Sequence, residues 1–449
     1  MNRRSHATSA TDHSGALFAT ATLVVTASVA GAHPTHDGSG KEAGFDLVAE
    51  EVSPGGVPQE RMTDIRCEDG MAGIFPCHKI DLASFIPLSE FESIWANDVW
   101  GWTDPMTGHE YALVSLFEGT AFIDITDPYD PAYLGTLPTA VPGNFGNIWG
   151  DLKVYGDHAF IVTEAGGHGM QVFDLTRLRG VTEPQAWTVD NHITNFGQAH
   201  NIAVNEDTAT VYVVGAWNGV TIPGCEDVDG GPIAFDVSDP ANPQVAGCYG
   251  GDSYTHDIQC VIYAGPDADY TGREICVASN EDTVTVLDVT DINDVQMLAR
   301  SPYETSAYTH QGWFTEDHRF FLLGDELDEL DGTVTGTTTY VWDLADLDNP
   351  VLRGQHNNGN TSIDHNIFIK DGLAYQSNYT SGLRVTDAWR ADQGRLKERG
   401  FFDVYPVDDD TVFAGTWGNY PYFDSGTVVV TGIEEGLFVL KPRVKSSDN

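Results

Sequence analysis

One position recurs seven times along this chain at nearly constant spacing: Trp95, Trp149, His200, His256, His310, His365 and Trp417, separated by 51 to 56 residues. A period of that size means that one supersecondary unit is copied along the chain, each copy relying on its neighbours to bury its apolar face. A second marker shares the period. Apolar alternation ends in an aspartate-bearing turn at FIDITDP (Phe122–Pro128), VFDLT (Val172–Thr176), AFDVSDP (Ala234–Pro240), VLDVTD (Val286–Asp291), VWDLAD (Val341–Asp346) and RVTDA (Arg384–Ala388). Asp and Pro both favour turn geometry, so each motif reads as a strand running into a turn. Within the fourth unit four strand-like runs are visible: His256–Tyr263, Glu274–Ser279, Thr283–Val289 and Val295–Ala299. Four short strands per unit, repeated seven times, predict an all-β, seven-bladed β-propeller.

The last unit lacks a fourth strand, because the chain runs out soon after Gly436–Leu440. The run Lys79–Leu88 (KIDLASFIPL) precedes the first unit and has no unit of its own. Pairing it with the last blade would close the ring and cover an exposed sheet edge. The 47 Gly and 21 Pro, spread along the chain, suit a fold made of many tight turns.

Asp and Glu outnumber Lys and Arg by 67 to 22, a formal net charge of −45. That balance argues against nucleic-acid partners and anionic membranes. It fits either adaptation to high salt, where the repulsion is screened, or a cation-binding surface. Arg3 and Arg4 precede the apolar run Ala16–Ala32, which ends in Ala-Gly-Ala. This reads as a cleaved export signal rather than a retained anchor, since the run is short for a span and holds three threonines. The expected organisation is a signal peptide over 1–32, a flexible acidic lead-in over 33–66, the propeller over 67–442 and a short polar tail over 443–449. The mature chain is expected to lack a transmembrane segment and to be a secreted monomer. Six cysteines in an exported chain read as disulfides. Cys67 and Cys77 bracket a Gly/Pro turn, Cys260 and Cys276 sit on successive strands, and Cys225 and Cys248 remain as the third pair.

The segments SLFEGTAFIDITDP, HGMQVFDLTRLR, QAHNIAVN, YTHDIQCVIY, GREICVASNEDTVTVLDVTD, YTHQGWFTEDHRFFLLGDELDE, IDHNIFIK and FDSGTVVVTGIEEGLFVL, in collinear order from about Cys67 to Pro442, resemble the choice-of-anchor B family of LVIVD-repeat proteins. The resemblance implies an exported or surface-displayed propeller of undetermined biochemical activity, with anchors that vary between members. This chain shows no apolar tail or sorting motif after its last strand, so free secretion is expected over surface attachment.

If each marker opens the innermost strand of its blade, His200, His256, His310 and His365 converge at one mouth of the central channel. The turns between second and third strands would lie on the same face, with Glu164, His168, Asn280, Glu281, Asp325, Glu326 and Asn378; Asp257 directly follows His256. Imidazoles with carboxylates are the ligand set of Zn, Cu, Fe or Ni, and carboxylates alone suit Ca²⁺. Against this stands a structural reading, in which each His is an inter-strand clip and the residues after it, Asn201, Asp257, Gln311 and Asn366, fix a turn. The acidic runs Asp325–Asp331 (DELDELD) and Asp408–Asp410 are expected to be solvated loops. No GxSxG, P-loop, HExxH or GxGxxG motif occurs. Two functions follow: a binding module that presents the His-bearing face to an extracellular protein, glycan or small ligand, or a metal-dependent hydrolase or oxidoreductase that uses a divalent metal (Zn, Cu or Ca) at that mouth.

Overall fold

The computed structural model of the protein describes residues 53–446 except Trp217. The expected signal peptide, residues 33–52 of the lead-in and the last three residues of the tail lie outside the described residues. Seven antiparallel sheets surround one axis, in line with the period read from the sequence. The innermost strands are Ala96–Thr103, Gly150–Tyr155, Asn201–Asn205, Asp257–Ile262, Thr309–Phe314, Ile367–Lys370 and Thr416–Tyr420, so each opens within two residues of its Trp or His marker. Blade four runs outward through Glu274–Ser279, Val284–Asp288 and Gln296–Ser301, close to the four runs expected there.

The repeated aspartate has a local reason. In all six motifs its carboxylate accepts the N–H two residues on, at 2.8–3.1 Å: Asp124, Asp174, Asp236, Asp288, Asp343 and Asp387. These Asx turns end the third strand. The residue after each aspartate is buried, from Ile125 in blade one to Ala388 in blade six. Its N–H donates back to a carbonyl at the turn into the blade's second strand, as Val289 does to Glu274. One carboxylate thus stops a strand and seats an apolar side chain between blades.

The ring closes as expected. Ile80–Pro87 lies antiparallel against Gly436–Pro442, with Phe85 opposite Phe438 and Ile86 opposite Leu437. Ala83, Ile86 and Leu88 pack between Val114 and Ile123 of blade one and Val429 and Val439 of blade seven. The closing segment does more than supply one strand. Met62–Ile65 pairs on the outer side of Ile80–Pro87, and Phe75–His78 extends the outer strand of blade six through Phe401 and Phe402. The N-terminal region therefore covers the outer edges of two adjacent blades.

This corrects the flexible lead-in for its described part. Val57 is fully buried with Phe85 and Phe438, and the Ser53 hydroxyl donates to Glu435 at 3.0 Å. The sequence signal failed here because a polar, Gly/Pro-rich stretch binds through a few apolar anchors. All three expected disulfides form: Cys67–Cys77, Cys225–Cys248 and Cys260–Cys276. Cys260 and Cys276 sit directly opposite each other on paired strands, with Cα atoms 4.0 Å apart. No helix among the described residues is long and apolar enough to cross a membrane.

Two outcomes test closure. Phe85→Ala removes a fully buried ring 4.7 Å from Phe438 and should cost about 3–5 kcal/mol in denaturant unfolding; a loss below about 1 kcal/mol would mean the closing strand is not part of the cooperative core. Glu435 is fully buried, and burial, helped by Glu434, pushes its pKa up to about 8. A raised carboxyl pKa contributes stability that is lost as pH rises from the ordinary glutamate value through about 8. Glu435→Gln should therefore match the wild type near pH 5 and exceed it by a few kcal/mol near pH 9, as read from melting curves.

Candidate functional site

The seven markers meet on the axis. Four imidazoles from blades three to six form a row, with ring centroids 4.1 Å apart for His200–His256, 4.2 Å for His256–His310 and 4.5 Å for His310–His365. Trp417 takes the next place, 5.0 Å from His365. Trp95 and Trp149 pack with Trp417, Tyr379, Ile363 and Ile433 to complete the apolar half of the mouth. A row this tight follows from the fold: equivalent positions on innermost strands are held a few ångströms apart around a narrow channel.

Each of three imidazoles is oriented through its Nδ1, and always across a blade boundary. His200 meets Glu164 Oε1 at 2.6 Å, His256 the carbonyl of His310 at 2.9 Å, and His365 the carbonyl of Trp417 at 2.5 Å. A carbonyl oxygen only accepts, so the Nδ1 of His256 and His365 donates, and in the neutral ring the lone pair then sits on Nε2. Metal-ligating imidazoles are characteristically held this way by carbonyl or carboxylate partners. The Nε2 atoms of His310 and His365 both face Glu326, at 3.7 and 3.6 Å from its two oxygens. These separations exceed hydrogen-bond length and approach the roughly 3.3 Å expected between two ligands about 2 Å from one tetrahedral ion. Tyr379 donates to Glu326 Oε1 at 2.5 Å and fixes that carboxylate. His310, Glu326 and His365 are 2, 0 and 2% exposed, and one donor atom from each falls within 4.8 Å of the others.

The remaining expected site residues divide. Glu164 and Glu281 lie at this mouth: Glu164 binds His200, and the charge of both bears on the half-buried Tyr254 and the buried Tyr308. His168 stands apart in blade two beside His192, with its pKa lowered by burial to about 4. Asn280 donates to Asp252, and Asp325 accepts from Tyr303 and from the N–H groups of Ala307 and Tyr308. Asn378 is buried in a turn closed by Ser381 and Gly382. The DELDELD run is not a solvated loop in its first half, because Asp325, Glu326, Asp328 and Glu329 are buried while Leu330 points outward at 44% exposure. Asp408 and Asp410 are exposed, as expected.

The residues after the imidazoles, Asn201, Asp257, Gln311 and Asn366, line the channel, and Asn201 and Gln311 clip neighbouring blades together. Asn201 donates to the carbonyl of His256 at 3.0 Å and to Asp257 at 3.1 Å. Gln311 brackets the backbone N–H and carbonyl of Ile367 at 2.7 and 3.1 Å. With Asp98 and Asp151 they form a polar layer beneath the imidazole row. Beneath that layer lies a cavity of about 350 Å³ walled by Trp100, Trp313, Phe368, Tyr420 and Tyr422. The exposed Glu206 stands at its rim, at the turn that ends the innermost strand of blade three and so on the face opposite the imidazoles. The volume and the aromatic walls suit a small ligand.

Sequence reasoning missed the charge at the top of this cavity. Lys153 is buried between Asp151, at 2.5 Å, and Asp98, at 3.1 Å, with its ammonium 4.5 Å from the Trp100 ring centre. Burial opposes its charge, but Asp151 and Asp98 outweigh burial and hold its pKa above the ordinary lysine value. Burial pushes Asp98 upward, and it drives Asp257 up to about 8 with help from Asp151. The available signal was lysine on a central strand of a chain with only 22 basic residues.

No protein-family model and no curated protein matches the chain. Among solved structures it is similar to the β-propeller domain of Cps50 (Swd1) from Myceliophteria thermophila, at 10% identity and TM-score 0.46 over 74% of this chain and 93% of that one. A functionally unknown protein from Desulfotomaculum acetoxidans is similar at 11% identity and TM-score 0.45, over 68% of this chain and 88% of that one. These values are too low to add to what the chain's own strand pairings establish.

Lys153→Met should destabilise the ring by about 3–5 kcal/mol, because it leaves two buried carboxylates without their cation. Adding Asp98→Asn and Asp151→Asn should recover most of that loss in chemical denaturation; no recovery would mean that Lys153 acts through packing alone.

Proposed function

We propose that this chain is an exported propeller that works as a binding module and holds one divalent transition metal on its axis through His310, Glu326 and His365. The observation that carries the reading is the pair of Nε2 atoms facing the two oxygens of one buried carboxylate, with the His365 Nδ1 committed to a backbone carbonyl. Imidazole with carboxylate favours Zn or Cu over the hard cations. His200 and His256 continue the same row and would serve as further or exchanging ligands. All three primary groups are at most 2% exposed, and three protein ligands would leave a fourth position on the ion for a ligand that enters at the mouth. The partner, an extracellular protein, glycan or small ligand, would meet the mouth above the row.

Membership of the choice-of-anchor B family and secretion belong to the same proposal. Three disulfides joining all six cysteines support an oxidising compartment. The net charge of −45 supports a saline setting, in which dense surface carboxylates remain hydrated while their repulsion is screened.

Elemental analysis of protein purified without an affinity tag should find about one transition metal per chain. Co²⁺ added to metal-stripped protein should give visible d–d bands, and the double variant His310→Ala/His365→Ala should lose both signals while its far-UV circular dichroism stays that of the wild type. A wild type that neither retains metal nor develops the Co²⁺ spectrum would overturn the assignment, as would a double variant that binds like the wild type.

A further inference from the structure

Three carboxylates next to the imidazole site have no place in that reading. Asp328 and Glu329 come from the loop after the second strand of blade five, and Asp364 from the segment leading into the first strand of blade six. One carboxylate oxygen from each lies within 4.8 Å of the other two. The three residues are 0, 7 and 1% exposed. Glu329 is held by the N–H groups of Thr338 at 2.7 Å and Asp364 at 3.4 Å, and one Asp328 oxygen accepts from the Tyr340 hydroxyl at 2.5 Å. The other Asp328 oxygen and both oxygens of Asp364 are buried and accept no hydrogen bond from an N–H or hydroxyl group, and a proton shared with Glu329 is the alternative link between the carboxylates.

The backbone has made room for this. A Cβ on Gly324 would stand 1.9 Å from Asp364 Oδ2, so glycine at that point of the second strand leaves the carboxylate its present place. The same loop turns its leucine out, with Leu330 exposed while its acids point in. A sequence that buries acids and exposes leucine is organised around something other than apolar packing. The charges that bear most on Asp364 are other acids: Glu329, Asp328, Asp325 and Glu326. Several buried carboxylates at this distance repel one another strongly unless a cation or shared protons compensate them.

We propose that Asp328, Glu329 and Asp364 form the ligand cage of a buried calcium ion that ties the blade-five loop to the entry of blade six. The three side chains offer oxygen alone, which selects a hard cation, and Ca²⁺ accepts the irregular, partly bidentate carboxylate geometry that Mg²⁺ resists. Backbone carbonyls and water would fill its remaining positions. Because the loop also carries Glu326, calcium would set the position of the carboxylate that faces His310 and His365. The cage itself does not depend on whether those imidazoles hold a metal.

The test uses the full chain after treatment with a calcium chelator. Calorimetric titration with CaCl₂ should show one site per chain, and saturating calcium should raise the melting temperature by roughly 5 °C or more at constant ionic strength. Asp364→Asn removes charge from the cage, so its calcium-free form should melt above calcium-free wild type, yet it should show no calcium-induced rise. Asp408→Asn, on the exposed acidic run, should respond like the wild type. His310→Ala/His365→Ala should keep the calcium response, which separates failure here from failure of the imidazole reading. The proposal is overturned if wild type gives neither binding heat nor a melting shift, or if Asp364→Asn responds like wild type. An equal rise with MgCl₂ would reduce the effect to screening of the net charge and overturn it. A calcium-indifferent protein whose melting temperature climbs on mild acidification would assign the cluster to shared protons instead.

Discussion

The antiparallel pairing of Ile80–Pro87 with Gly436–Pro442 sets the geometry on which everything else in the molecule depends. A propeller blade cannot bury both of its faces alone, and six blades closed onto a seventh leave no room for an open edge at the seam. Once the seam is closed, all seven innermost strands stand at fixed angles around one axis. The side chains at equivalent positions are then forced together, whatever their chemistry. The 4.1–4.5 Å spacing of the imidazole row is a direct product of that constraint. The closing segment adds a second hold by extending blade six through Phe75–His78, so one continuous stretch of chain is hydrogen-bonded into both blades six and seven.

Such convergence concentrates charge as readily as it concentrates imidazoles. Three layers along or beside the axis hold groups that burial alone would neutralise: Glu326 among the imidazoles, Lys153 between Asp98 and Asp151, and the carboxylates Asp328, Glu329 and Asp364. Each resolves the cost differently. The lysine layer carries its own counter-ion, and the resulting ion pairs hold the Lys153 charge against burial. The Glu326 carboxylate receives a tyrosine hydroxyl and faces two imidazoles. In the acidic cage the neighbouring acids only add to the effect of burial on Asp364. Two like charges about 5 Å apart repel by about 3 kcal/mol even at an effective dielectric of 20, so the three layers differ in whether the compensating charge is already within the chain.

Much of the architecture was legible because it rests on local chemistry repeated at a constant period. The strand-ending aspartates are Asx turns in every one of the six motifs, and a turn of that kind is set by two or three consecutive residues. The disulfide pairs were legible for the same reason, since all three join neighbouring segments separated by 10 to 23 residues. The lead-in was misread over residues 53–66 because its attachment relies on isolated anchors, Val57 and the strand Met62–Ile65, that carry no periodic signal. The loop DELDELD was misread because charge density predicts solvation only when nothing holds the loop against the ring, and Gly324 and Asp364, residues outside that run, decide otherwise.

From its sequence alone this protein is a seven-unit ring with a closing N-terminal strand, three local disulfides and a histidine at one recurring position in four consecutive units. Those features depend on residues close in the chain or on an exact period, and both survive without coordinates. Only the tertiary structure decided that His310 and His365 share Glu326, that the residue after each imidazole faces the channel, that Lys153 caps an aromatic cavity, and that Asp364 meets Asp328 and Glu329. Each of these is a distance across a blade boundary between residues tens of positions apart. A period says which residues occupy equivalent places, and only the packed ring says which of their atoms touch.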